Sequence, residues 1–577
     1  MKTEPSVKVC SLEELERDGV RTLAAEGRVI AVFYHRGEAY ALDNRCPHMG
    51  FPLHRGSLKD GILTCEWHHA KFDLASGCTF DLFADDAPRF RVEIRDAYVW
   101  VDPNPIEPDP LQRWLRKLDE GLEHGLPLVM AKAVIGLDEL GGTIDLLEKA
   151  ALFGIRNRAK GWSSGLTVLT TVANVLPALA PEDRRLALSR GLERVQAETE
   201  GNPPSFDVGP LALAEGSPEE YLRWFRRFIE VRAEEAAERT LRTAIRAGLP
   251  EKDIADIVFA ACTDHLFRGE GHVLDFANKA FELLDHIGWR YAEDVLPSII
   301  HPLADWWRME ETSHWRHPVD VASLLFETYA ELDALIEEGG GRLEGWDGHA
   351  ELAEQILVGE APDTLAAMRD LVRKGVPLVE LSATVAYAGA RRFVHYPTSN
   401  EIPDWDTVHN TFTYCNAVDR AMRRAPSRLL ARGIFDGAMA VYLDRFLNVP
   451  RRPIPKPSGR APSDGEFLAI FDQQGSVEEA GQAVVGLIAD GRREELPRLL
   501  GHVMLREDGV FHEFQAYEAG LQQFRTFAGK PEGDHVLVGV ARFLASKFPT
   551  QRRANQTFDI AMRLQRGEKL YGEEFEE

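Results

Sequence analysis

Two short stretches, Cys46-Pro47-His48 and Cys65-Glu66-Trp67-His68, each carry one thiol and one imidazole, with sixteen residues between them. Two cysteines and two histidines can hold a tetrahedral zinc ion or a two-iron, two-sulfide cluster with both thiolates on one iron and both imidazoles on the other. A zinc finger pairs Cys with Cys and His with His, whereas both halves here are mixed. Mixed halves suit two facing β-turns that grip a rhombic cluster, which favours the second arrangement. Gly50, Gly56 and Gly61 flank the pattern and permit close backbone approach, and Phe72 to Gly77 reads as a strand running into a turn.

The strings Cys46-Pro47-His48-Met49-Gly50 and Cys65-Glu66-Trp67-His68, the latter followed by Phe72-Asp73, resemble the two loops of the Rieske iron–sulfur domain. That resemblance implies a small all-β domain over residues 1–103. It also implies a [2Fe-2S] cluster with Cys46 and Cys65 on the inner iron and His48 and His68 on the outer one. Respiratory Rieske proteins brace the cluster with an additional cysteine in each loop. This chain has none there, which points to the ferredoxin or oxygenase type. Neutral imidazoles place such clusters in a span of roughly −150 to +300 mV. Met49 and His69, not serine, follow the loop histidines, so the lower part of that span is expected. His54 and His69 read as exposed neighbours, with His69 a candidate electron exit, and Cys78 as a small core residue.

Six cysteines in 577 residues are too few for a disulfide scaffold, and four of them fall in the first 80. With 67 Lys+Arg against 92 Asp+Glu the net charge is −25, which argues against nucleic acid or an anionic membrane as partner. No stretch has the length of apolar sequence a membrane helix needs. The first residues, Met1 to Val7, lack the apolar core of a signal peptide, so a cytoplasmic location is expected.

Past residue 103 the pattern changes. Residues 104–110 are proline-rich and read as a linker. Residues 111–449 read as an all-α domain of repeated helical hairpins, residues 450–464 as a second proline-rich linker, and 465–570 as a C-terminal helical block. The tail Glu573 to Glu577 reads as solvated. Gly248-Leu249-Pro250 and Gly375-Val376-Pro377 each open a helix pair. Asn174, Asn278 and Asn416 recur at similar places, and a fourth unit spans Gly491 to Phe524. Such hairpins stack so that each buries its apolar face on a neighbour.

A Rieske cluster moves one electron and leaves substrate chemistry to another centre. The D-x-x-H-x-x-x-x-H string that holds mononuclear iron in the usual Rieske oxygenases is absent. If the helical repeats stack around an axis, His265, His272, His409 and His512 converge on one iron, giving a mononuclear non-haem site. His265 lies on the apolar side of its helix and reads more readily as a hydrogen-bonded core residue than as a ligand. His272 shares a stripe with Asp275, Lys279, Glu282 and His286 that reads as a solvated face. The helical remainder also resembles the questin-oxidase-like oxygenases, which implies an iron held by histidines and a modified lysine, with no ligand transferable residue by residue. The expectation is a Rieske oxidoreductase whose cluster passes single electrons to an all-helical domain, possible site of oxygenation of a small organic molecule. A redox sensor, or a ferredoxin-like carrier with a helical docking domain, are the alternatives. No P-loop, G-x-S-x-G, H-E-x-x-H or dinucleotide-binding fingerprint is present, so a separate reductase or ferredoxin is the expected donor.

Overall fold

The hairpin turns at Arg36-Gly37 (φ 52° and 90°) and Asp96-Ala97 (φ 50° and 62°) each place two residues in the left-handed region. This is the tight-turn geometry whose twist matches that of antiparallel strands. The computed structural model describes residues 7–106, 109–206, 208–212, 215–568 and 570. Met1 to Ser6, Glu107 and Pro108 of the first proline-rich stretch, and the tail Glu573 to Glu577 lie outside the described residues.

Among the described residues nine strands occur, in order: β1 Val7–Ser11, β2 Val20–Ala25, β3 Arg28–His35, β4 Glu38–Asp43, β5 Ser57–Lys59, β6 Ile62–Thr64, β7 Lys71–Asp73, β8 Arg89–Arg95 and β9 Tyr98–Pro105. They form an antiparallel six-stranded sheet, β1-β9-β8-β4-β3-β2, and a three-stranded sheet, β5-β6-β7. Alternation decides which side chains turn inward. Ile30 and Val32 of β3 join one core with Ala41, Phe90, Val99 and Val101. Ala31 and Phe33 join the other, with Leu53, Leu63, Phe72 and both loop cysteines. Helix α1, Leu12–Asp18, starts at a Ser11–Glu14 capping box.

The proline-rich stretch is partly structured. Pro105 ends β9, and Pro110 opens helix α2, Pro110–His124, at the position where a helix has no N–H to lose. Helix α3, Pro127–Glu139, packs on α2, and the Ala554 helix, Ala554–Gln565, packs on α3. The chain divides into a first unit, residues 1–149 with 554–577, and a second, residues 150–553. Neither boundary falls in a proline-rich segment. Residues 450–464 are tied into the second unit: the Arg452 amide donates to the His395 carbonyl (2.8 Å) and the Arg452 guanidinium pairs with Glu478 (2.9 Å).

In the second unit no strand occurs among the described residues. Four of its helices pack on one another: Ser164–Val175, His272–Ile287, Ile402–Arg424 and Phe511–Thr526. Each packs against two of the others, and together they close a ring. Three are those in which the recurring asparagines were noted, and the fourth is in the Gly491–Phe524 unit. The His272 helix is buried on both faces: Leu274, Ala277, Phe281 and Leu284 on one, Asp275, Lys279 and Glu282 on the other. The stripe expected to face solvent therefore faces the bundle interior. No described helix is long and apolar enough to cross a membrane.

Candidate metal centres

The first loop leaves β4 at Asp43 and is shaped by its own backbone. The Cys46 amide donates to the Phe51 carbonyl and the Gly50 amide to the Cys46 carbonyl, both at 2.8 Å. Gly50 has φ 84°, a conformation other residues adopt at a cost. The second loop repeats the scheme: the Cys65 amide donates to Ala70 (2.9 Å) and the His69 amide to Cys65 (3.0 Å). Each loop thus turns its amides toward its sulfur. The N–H groups of His48 and Met49 approach Cys46 Sγ, and those of Trp67 and His68 approach Cys65 Sγ.

These loops bring the four expected ligands together. Cys46 and Cys65 are buried and hydrogen-bonded to each other, and the His48 and His68 rings meet edge-on with centroids 4.9 Å apart. In the thiol form the hydrogen bond from Cys46, then the Trp67 and His68 amides, lowers the Cys65 thiol. The same hydrogen bond and burial raise Cys46. Burial first, then His68 and Lys132, lowers His48 to about 4, so its imidazole is neutral. His48 Nδ1 is a buried atom with no hydrogen-bond partner. Two facing thiols and two adjoining imidazoles, one with an orphaned nitrogen, fit a [2Fe-2S] cluster.

The neighbours differ from expectation in part. His69 is exposed, with φ 60°. His54 is half-buried, because Asn44 Oδ1 accepts from its amide and lies 3.0 Å from its Nδ1. Cys78 is exposed and not a core residue: it follows Gly77 in the turn after β7, where the chain runs along the surface.

In the second unit three of the four expected histidines converge. His272 opens its helix, His512 is the second residue of its helix, and His409 lies two turns inside its own. The His272 and His512 rings stack with centroids 6.2 Å apart, and those of His409 and His512 are 4.7 Å apart. Phe276, Phe511, Phe543 and Trp306 surround them. Asp406 Oδ1 lies 3.0 Å from His512 Nδ1 and 2.5 Å from Lys547 Nζ. His272 Nδ1 and His409 Nε2 are buried with no partner. Burial, then His512, lowers His272 to about 3 and His409 well below its usual range, so both are neutral.

His265 does not join this set. Its Nδ1 lies 2.6 Å from Glu310 and its Nε2 2.7 Å from Glu230, so both ring nitrogens are taken by carboxylates brought from other helices and turns. Among the described residues no group of three or more His, Cys, Asp or Glu side chains stands in a ready-made metal-holding arrangement.

Below the three histidines lies a buried polar column that the sequence reading had turned outward. Lys279 Nζ donates to Glu282 Oε2 and Glu518 Oε2, both at 2.7 Å. Asn174 donates through Nδ2 to the same two carboxylates (2.8 and 3.0 Å), and its Oδ1 accepts from His286 Nε2 (2.7 Å). Burial alone would discharge Lys279; Glu282 and Glu518 outweigh it and keep the ammonium. Asp275, bonded by Gln515, is raised to about 7 by burial. The column meets solvent at a cavity of about 470 Å³ lined by Asn174, Glu282, His286, Arg420, Arg423 and Glu518 among others.

Comparison with known proteins bears on the N-terminal domain that carries the first of these sites. The Rieske [2Fe-2S] domain family matches residues 6–87. A human Rieske domain-containing protein is 37% identical over 76 residues, 12% of this chain and 48% of that protein, so the chain spans about half the length of this relative. The ferredoxin subunit of a 3-phenylpropionate/cinnamic acid dioxygenase from Photorhabdus laumondii is 33% identical over 95 residues, 16% of this chain and 90% of the subunit. The solved ferredoxin of carbazole 1,9a-dioxygenase from Nocardioides aromaticivorans is 21% identical, covering 18% of this chain and all of that one, with a TM-score of 0.17. Through its N-terminal domain, with Cys46, His48, Cys65 and His68 in facing loops, the chain belongs to the Rieske [2Fe-2S] domain family.

Proposed function

We propose that this protein is a two-centre oxidoreductase. Cys46, His48, Cys65 and His68 hold a [2Fe-2S] cluster that carries single electrons from a separate reductase or ferredoxin. His272, His409 and His512 hold a mononuclear non-haem iron in the helical unit, where a small organic substrate is oxidised by dioxygen. Bound there, the iron supplies one-electron redox chemistry and open coordination positions for small molecules.

The observation that carries this reading is the pair of orphaned imidazole nitrogens, His272 Nδ1 and His409 Nε2, buried beside His512 in one bundle. Buried polar atoms without partners are rare and call for an explanation. Asp406 orients His512 through Nδ1 and leaves Nε2 for another partner, the arrangement that fixes a metal-binding imidazole. The surrounding phenyl and indole rings exclude water. Asp275 and the Lys279–Glu282–Glu518 column follow His272 on the polar face of the same helix and its neighbour. The relatives whose names include a dioxygenase ferredoxin subunit support electron delivery to an oxygenase as the role of the cluster.

Iron and acid-labile sulfide analysis of anaerobically purified protein tests both halves. Two sulfides, three irons, a Rieske paramagnetic signal on reduction and a ferrous–nitrosyl signal lost in His409→Ala are expected. Two irons with no nitrosyl signal would leave electron carriage intact and remove the helical iron. A midpoint near the top of the roughly −150 to +300 mV span would contradict the expected low-potential cluster.

A further inference from the structure

The cluster loop is touched by a charge from outside the matched residues. Lys132, on α3, is 8% exposed, and its Nζ donates to the backbone carbonyls of Pro47 and of His48, the latter at 3.2 Å. Behind it stands Asp85, 7% exposed, with Oδ2 at 3.2 Å from the ammonium and Oδ1 buried without a partner. Phe83 packs edge-on against the His48 ring at 4.9 Å, while His68 is exposed. A buried ion pair contributes little net stability, because taking both charges out of water costs about as much as their attraction returns. This pair also leaves one carboxylate oxygen unmatched, a poor arrangement for a purely structural contact.

Position gives the pair another role. Reducing a [2Fe-2S] cluster adds one negative charge to the loop region. A cation held there in low dielectric favours the reduced form, and an anion favours the oxidised form. Little water lies around either group to screen them. We propose that Lys132 and Asp85 set the reduction potential of the cluster as an opposed pair: the ammonium raises it, the carboxylate lowers it, and the protein's value is their balance. Lys132 is thereby a positioning and tuning residue, acting through the Pro47 and His48 carbonyls. The proposal rests on the Rieske cluster alone and is independent of the helical iron.

The test is a redox titration of the purified full chain at one fixed pH, followed by the Rieske paramagnetic signal, with iron and sulfide counted in every variant. Lys132→Met is expected to lower the midpoint and Asp85→Asn to raise it. The double variant is expected to fall between them, and Lys132→Arg to stay near the parent. Shifts of opposite sign from two neighbouring substitutions are something a merely structural role would not produce. Single variants that shift the same way, or do not shift with the cluster fully present, overturn the proposal. If Lys132→Met fails to keep its cluster, Asp85→Asn decides by itself, since a lowered or unchanged midpoint there is equally fatal. Loss of the cluster from both would assign the pair to holding the loop and also overturn it.

Discussion

Replacing Lys279 by methionine removes the cation that donates to both buried carboxylates and leaves only the half-exposed Arg420, 3.8 Å from Glu282, beside them. Its Nζ is 2.7 Å from each of Glu282 and Glu518, and the three side chains are 1%, 6% and 2% exposed. Asn174 and Gln522 still donate to both carboxylates, but amides carry no compensating charge. Breaking a buried pair from one side costs about 3–5 kcal/mol, and the loss of Lys279→Met is placed in that range at pH 8. In the variant both glutamates have folded values raised above the ordinary value of about 4.3. A group raised on folding contributes stability that is present below its unfolded value and is lost as pH rises through its folded one. The deficit against the parent must therefore shrink between pH 8 and pH 5. The triple variant Lys279→Met, Glu282→Gln, Glu518→Gln has no buried charge left in this trio and should recover most of the loss. Urea unfolding followed by circular dichroism at both pH values reads all three proteins. A deficit under about 1 kcal/mol at pH 8, or one that is equal at pH 5 and not relieved in the triple variant, would refute the reasoning.

Asp436 is fully buried between Tyr329 and Tyr414, and burial raises its carboxyl to about 7. Being raised on folding, it favours the folded state at acid pH and loses that contribution as pH climbs from about 4 through about 7. Asp436→Asn should gain more stability relative to the parent at pH 8 than at pH 5, where only part of the contribution has been lost, and by at most about 4 kcal/mol for a shift of about three units; thermal unfolding at the two values checks it. Gly77 has φ 76°, and a Cβ there would stand 2.1 Å from the Ala87 carbonyl oxygen. Gly77→Ala should cost ~2 kcal/mol or more through backbone strain and the clash, with cluster content falling in parallel, read by visible absorbance. The stoichiometry of iron and the opposed shifts at Lys132 and Asp85 complete the set.

How much of this was legible in the sequence depends on how far apart the deciding residues lie. The four proposed cluster ligands sit in two loops whose shape comes from hydrogen bonds within a few residues, Cys46 with Gly50 and Phe51, and Cys65 with His69 and Ala70. Spacing and residue type were enough to single out those loops. The same holds for the helices that follow Pro250 and Pro377. Cys78 was misjudged because a small apolar residue carries no mark of which side of a turn it takes.

The polar stripe of the His272 helix is the harder case. Residues 272, 275, 279, 282 and 286 follow helical spacing whether they face water or a bundle, so periodicity names the face and not its surroundings. What turns it inward is the arrival of the Ile402 and Phe511 helices, well over a hundred residues away in the chain, with Asn416, Gln515, Glu518 and Gln522 to satisfy it. Distance in the chain also separates His265 from the other three histidines, since Glu230 and Glu310 claim both of its nitrogens. Lys132 reaches the His48 loop only because α3 packs back on the domain that precedes it. Local chemistry, then, was written in neighbouring residues, whereas the sign of each environment, wet or dry, charged or compensated, was decided by which distant elements came to lie against it.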